Sequence, residues 1–138
     1  MVRHSEILII KSDKSEIRRV ESFLTDLFDK YYLPKNQFNR VYLCISEAIV
    51  NSIQHGNENN CSKCIKIKLG YYDYRMDIEI SDEGKGFDHN KISDPTDIEN
   101  IKKESGRGIH IIKSLCDQIE FKNSGSCIRI IMKVKWKI

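Results

Sequence analysis

The sequence predicts an α+β fold: a two-layer sandwich, with helices on one face of a mixed, mostly antiparallel β-sheet. Three observations predict it. Segments of helical period come in groups, and strands follow one another in pairs, which argues against a strictly alternating βαβ chain. The strand segments alternate apolar and polar residues, so one sheet face is apolar and the other wet. The chain has 138 residues, 31% charged and 40% hydrophobic, which suits one soluble domain (1–138) with a core large enough to need no disulfide or metal staple.

The elements follow in order. Residues 6–10, EILII, read as a strand. Residues 14–31 put Ile17, Val20, Leu24, Leu27, Phe28 and Tyr31 on one helical stripe. Pro34 ends that helix or opens the next. Residues 35–55 form a second helix, with Phe38, Val41, Tyr42, Ile45, Ala48, Ile49 and Ser52 on one face. The period then changes to two in 65–69 (IKIKL), in 75–82 (RMDIEISD) and, apart from Ile131, in 128–138. A polar stretch at 88–105 precedes a helix at 107–117 and a strand at 118–122, which turns at Asn123-Ser124-Gly125.

Composition excludes several classes. A net charge of +3, with the basic residues dispersed, does not point to direct nucleic-acid binding. No run approaches the ~18 apolar residues of a membrane helix. The N-terminal apolar run of four is shorter than the roughly 7–15 of a secretory signal core. A cytoplasmic location is therefore expected, with the five cysteines as thiols. Cys61-Ser62-Lys63-Cys64 is a single CxxC, whereas structural zinc needs four ligands, so a loop between the second helix and the sheet is the simpler reading.

The second helix carries an anomaly. From Leu43 to Ile53 it reads LCISEAIVNSI, with Glu47 its only charge. Glu47, Asn51 and His55 form a slanted row, turning about 40° at each step of four. Leu43 and Val50 flank the row with apolar groups, so a carboxylate and an amide stand in a covered groove and need partners. Such oxygens suit a hard cation or water. His55 precedes Gly56 and can equally complete the helix C-terminus.

Two glycine clusters follow. In 76–88, MDIEISDEGKGFD, the apolar strand face of Met76, Ile78 and Ile80 ends in Asp82, an acid that must find a donor. Gly84 and Gly86 come next, either as plain turn chemistry or as a place where backbone approaches a ligand. In 104–116, ESGRGIHIIKSLC, Ser105 can cap a helix, and Gly106 and Gly108 bracket Arg107 at its start. That is either a flexible junction or an anion site on a positive helix end. No Walker loop exists in the chain. The 18 polar residues of 88–105 join the two clusters and have the length of a functional lid.

These three boxes, EAIVNSIQHGN (47–57), DEGKGF (82–87) and GRGI (106–109), taken in this order and spacing, resemble the GHKL ATPase superfamily of gyrase, histidine kinases and mismatch-repair ATPases. The short length and the wording SEAIVNSIQHGN look like the bacterial anti-sigma factor serine kinases, single domains of the Bergerat, or GHKL, fold.

The resemblance implies an ATP site. Asn51 would bind the Mg2+ that bridges the phosphates, and Glu47 would be the general base. Asp82 would accept from the adenine amino group. Gly84 and Gly86 would let the backbone pass close to the nucleotide. Residues 88–105 would be the ATP lid, and Gly106, Arg107, Gly108 and Ile109 would hold phosphate. Ser126, where relatives have Gly-Thr, would reach adenine through water. His55 and Phe87 lie in the same boxes and join the nucleotide-binding set.

The implied function is an ATP-dependent serine/threonine-protein kinase of transcription regulation. It would phosphorylate or sequester a partner: an anti-anti-sigma protein of the STAS type, a sigma factor, or both. The alternative is a nucleotide-dependent binding module with little kinase activity. Glu104 favours the alternative, because many relatives place an arginine there. Relatives are often homodimers, so a homodimer is one expected assembly.

Overall fold

The computed structural model describes residues 4–84, 103–123 and 126–135. Strand β1 (His4–Lys11) leads into a 3-10 turn at Lys14–Glu16, where Asp13 Oδ1 accepts the Ser15 N–H at 2.9 Å. Helix α1 (Ile17–Lys30) follows and buries Val20, Leu24, Leu27 and Phe28, four positions of the expected stripe. Pro34 separates it from a second 3-10 turn, Lys35–Gln37.

The second helix is built in three parts. After that turn, α2 runs from Phe38 to Asn51, and Ser52–Gly56 widens into a π-helical turn. One uniform helix over 35–55 was the expectation. The chain departs from it at its C-terminal end, where Ser52, Ile53, Gly56 and Asn57 are all buried. A π turn inside or beside a helix often marks a functional site.

Strands β2 (Cys64–Tyr72) and β3 (Arg75–Ser81) form a hairpin. Its two-residue turn, Asp73-Tyr74, has both residues at positive φ, 52° and 60°, which matches the right-handed twist of the strands. Helix α3 spans Lys103–Leu115, and β4 (Gln118–Lys122) and β5 (Cys127–Lys133) complete the sheet. Its order is β1-β2-β3-β5-β4. All four pairings are antiparallel. The expected mixed sheet thus contains no parallel pair among the described residues.

One core joins the layers. Val20, Leu24, Ile45, Ile49 and Ile112 from the helices meet Ile65, Ile67, Leu69, Ile78, Ile80, Ile130 and Met132 from the sheet. The opposite sheet face carries charge. Lys66 and Lys68 are exposed there, and Arg129 grips Asp77 through Nε–Oδ1 at 3.0 Å and Nη2–Oδ2 at 2.5 Å. Burial on one face only is what the strand alternation requires.

Arg40 joins the helix layer to the sheet end. Its Nε donates to Leu115 O at 2.7 Å and its Nη1 to Lys133 O at 2.9 Å, while Nη2 meets Asp117 Oδ2 at 3.3 Å. A guanidinium is suited to this, with five donors in a fixed fork that satisfies the last carbonyl of α3.

Two expectations are corrected. The helix placed at 107–117 begins four residues earlier and ends two earlier, so Ser105 lies inside α3 rather than capping it. Gly106 and Gly108 likewise sit within its first two turns, not at its first residue. Leu43, expected to be covered, is 41% exposed.

Candidate functional site

The site starts where α2 stops. Asn51 is the last residue of α2 and is 3% exposed. One turn before it, Glu47 is half-buried and turns toward α3: a Cβ added to Gly108 would stand 3.0 Å from Glu47 Oε2. Gly108 is itself buried, and its missing side chain is what lets α3 approach the Glu47 carboxylate. His55 follows in the π turn, half-buried.

Beyond it, Gly56 meets the end of β3. A Cβ on Gly56 would collide with Asp82 Oδ2 and would lie 2.7 Å from Oδ1. A Cβ on Gly84 would collide with the Gly56 carbonyl oxygen. The three residues interlock, and only glycine fits at two of them.

Asp82 is the perturbed acid of this corner. Its Oδ1 accepts the Gly84 N–H at 2.7 Å, and its own N–H donates to Ser126 O at 2.9 Å. Burial pushes its carboxyl above the usual range. The Gly84 hydrogen bond and the nearby Lys63 ammonium oppose that shift. A half-buried acid with a raised pKa, at the end of an apolar strand face, is a frequent mark of a functional site.

Asn57 holds this corner together, although the sequence reading gave it no role. It is completely buried. Its Nδ2 donates to Cys64 O at 3.1 Å, its Oδ1 accepts from Glu83 N at 2.9 Å, and its N–H bonds Ser52 O at 2.8 Å. One side chain thus ties the π turn to the start of β2 and the residue after Asp82. The signal was present as Gly-Asn at a helix end, a common stop.

The expected residues fall into three groups. Glu47 meets Gly108 of α3, Asn51 ends α2 and His55 lies in the π turn, and Asp82, Gly84 and Ser126 gather at the ends of β3 and β5. The Ser126 hydroxyl donates to Asn123 O at 3.0 Å. Gly106, Arg107 and Ile109 lie on α3, where Arg107 is exposed and Ile109 is 1% exposed. Gly86, Phe87 and residues 88–102 of the lid lie outside the described residues, as does Gly125. No group of three or more His, Cys, Asp or Glu side chains is placed to hold a metal among the described residues. No helix among them is long and apolar enough to cross a membrane.

Chemically, this arrangement offers a carboxylate seeking a donor, a buried amide one turn beyond a second carboxylate, and glycines where backbone or side chains touch. Such a set can bind a purine by its amino group and a hard cation by an amide oxygen.

Comparison with known proteins gives the family. The serine-protein kinase RsbW of Staphylococcus epidermidis is 33% identical over 101 residues, 67% of this chain and 64% of that relative. This chain therefore spans about two thirds of the length of relatives matched in this way. The serine-protein kinase RsbW of Staphylococcus aureus strain JH9 is 30% identical over 120 residues, covering 81% of this chain and 76% of the relative. A crystal structure of the RsbU and RsbW domains of Rv1364c from Mycobacterium tuberculosis shares the fold, with a TM-score of 0.68 at 12% identity over 97% of this chain and 33% of that one. Residues 10–133 match the histidine kinase-like ATPase domain, and they include Glu47, Asn51, Asp82 and Gly108: the chain belongs to that family, alongside the RsbW serine-protein kinases.

Proposed function

We propose that the protein binds ATP with magnesium between α2, the Asp82–Gly84 segment and α3, and transfers the γ-phosphoryl group to a serine of a partner regulator. The observation that carries this is the half-buried Asp82 carboxylate, wedged on Gly56 at the foot of the helix that bears Glu47 and Asn51. Burial raises its pKa, and a further donor such as the adenine amino group would stabilise its charged form. The donor set fits the nucleotide and its metal, because an amide oxygen and a carboxylate are ligands of the hard kind.

The roles divide along the fold. Asp82 selects the base, and the Ser126 segment, fastened to the Asp82 N–H, stands beside it. Asn51 would hold magnesium, which supplies charge neutralisation on the phosphates when bound. Glu47 is half-buried rather than sealed, so a serine hydroxyl can reach it; its carboxylate takes the hydroxyl proton as the oxygen attacks. Gly108 lets α3 close on Glu47, and the first turn of α3, Lys103 to Gly106, would offer its free N–H groups and positive end to phosphate, with Arg107, Gly108 and Ile109 directly after it. The segment before α3, which lies outside the described residues up to position 102, would be the lid. The partner is an anti-anti-sigma protein of the STAS type, a sigma factor, or both, as a serine kinase of a partner-switching circuit requires.

Two measurements test it. Calorimetry with ATP and magnesium should give saturable binding that Asn51→Ala removes. Labelled ATP and a STAS-type partner should then give phosphoserine on the partner, lost in Glu47→Ala. Tight ATP binding without any phosphoserine would leave a nucleotide-dependent binding module, the reading that Glu104 favours. No ATP binding at all would end the proposal.

A further inference from the structure

The CxxC turn sits against the Asp82 corner, and the proposed function leaves it unused. Among the described cysteines, Cys61 and Cys64 are the exposed pair; Cys44 and Cys127 are buried and Cys116 is half-buried. They flank a tight turn, in which Lys63 N–H donates to Asn60 O at 3.1 Å and Asn60 Oδ1 accepts from both Ser62 N and Ser62 Oγ, at 3.0 and 2.6 Å. The turn is also wound against preference, because Glu58 and Asn59 just before it have φ of 52° and 59°.

Three links run from this turn to the site. Glu83, next to Asp82, accepts the Cys64 N–H through Oε2. Asn57 donates to the Cys64 carbonyl and accepts from the Glu83 N–H. Lys63, between the two cysteines, is close enough to Asp82 to favour its charged form. Both backbone polar groups of Cys64 are thus held by side chains that also fix the residues around Asp82.

We propose that Cys61 and Cys64 are a covalent modification site, a dithiol that a low-molecular-weight disulfide such as glutathione disulfide oxidises to an intrachain disulfide, thereby loosening the Asp82 end of the nucleotide site. The proposal rests on the ATP-binding reading of that site. The thiolate of one cysteine attacks a sulfur of the small disulfide and expels one glutathione thiolate. The second cysteine then displaces the other glutathione. The protein loses two protons and two electrons, and the small disulfide becomes two thiols. The ring that forms takes in the Lys63–Cys64 peptide, whose N–H Glu83 holds, so closing it disturbs that hydrogen bond and, through the Cys64 α-carbon, the adjoining carbonyl that Asn57 holds. Lys63 turns with that peptide, and Asp82 loses part of its support.

Incubating the full chain with glutathione disulfide and weighing the peptide that holds residues 60–66 reads the chemistry. The expected result is a mass lower by two hydrogens, reversed by dithiothreitol and absent in Cys61→Ser and Cys64→Ser. Calorimetry should then show ATP binding weakened roughly tenfold in the oxidised chain, about the loss of one hydrogen bond to a charged group. Both serine variants should bind ATP as the reduced parent does, with or without oxidant. Independently of ATP, the amide NMR signals of Cys64, Glu83 and Gly84 should move on oxidation. Two separate glutathione adducts instead of a disulfide would overturn the proposal, as would a disulfide that moves neither those signals nor the affinity. A reduced chain that fails to bind ATP defeats the ATP reading instead, and the mass and amide shifts still decide whether this site exists.

Discussion

The carboxylate of Asp82 rests on the α-carbon of Gly56, so closely that no side chain fits between them. Two segments 26 residues apart in the chain are locked at this point, and Gly84 closes the lock from the other side. Gly56→Ala must therefore displace Asp82 or open the π turn. Overpacking of this kind costs about 1–3 kcal/mol. Thermal melting should show that loss, and calorimetry should show ATP binding reduced far more than the stability change accounts for.

Asp82 also sets a pH dependence. Burial holds its carboxyl above the unfolded value. The folded state therefore takes up a proton more readily than the unfolded chain. The stability this group contributes is fully present below the unfolded carboxylate range and is lost as pH rises through the folded pKa. At neutral pH the charged Asp82 weakens the ligand-free protein. Asp82→Asn should raise the melting temperature at pH 7, and the gain should shrink as pH falls through the carboxylate range. The same variant should lose adenine selectivity; undiminished ATP affinity would rule out the assigned role.

Glu47 and Gly108 give a test that separates binding from transfer. Glu47→Gln keeps the size of the side chain that packs on Gly108 and removes the base. It should bind ATP like the parent and lose transfer by about 100-fold or more, the usual contribution of a general base. Gly108→Ala pushes a methyl group to 3.0 Å from the carboxylate and should lower both.

Arg40 should be a stability residue with no role in the chemistry. It satisfies carbonyls at the end of α3 and near the end of β5. Arg40→Ala leaves Leu115 O without this donor and should cost about 1.5–3 kcal/mol in urea unfolding, the range for hydrogen bonds to charged groups. ATP affinity of the folded fraction should be unchanged.

The hairpin turn offers a gain. Tyr74 holds φ at 60° with a bulky side chain, and its carbonyl accepts the Val134 N–H at 2.7 Å. Asp73→Asn combined with Tyr74→Gly keeps that bond and removes the backbone strain, so it should raise stability by about 1 kcal/mol. An unchanged melting temperature would mean that the Tyr74 ring contributes packing of equal size.

Much of this was legible in the chain. The stripe from Val20 to Phe28 and the alternation in β2 and β3 gave the layers, because burial on one side imposes a period of 3.6 or 2. Asp82 was legible as an acid ending an apolar face. The π turn was not, because it goes with the close meeting of Gly56, Asp82 and Gly84, which leaves no periodic mark. The start of α3 was misplaced because Gly106 and Gly108 read as helix breakers, whereas close packing of α3 on Glu47 favours glycine inside the helix.

By itself the sequence determined which residues carry chemistry and which faces are apolar, since side-chain type and spacing are local properties. Only the tertiary structure decided that Gly56 lies under Asp82, that Asn57 clamps Cys64 to Glu83, and that Arg40 closes the ends of α3 and β5. These contacts join residues far apart in the chain. They exist only because core burial brings the helix layer down onto one face of the sheet, and no local pattern encodes which distant atoms will then meet.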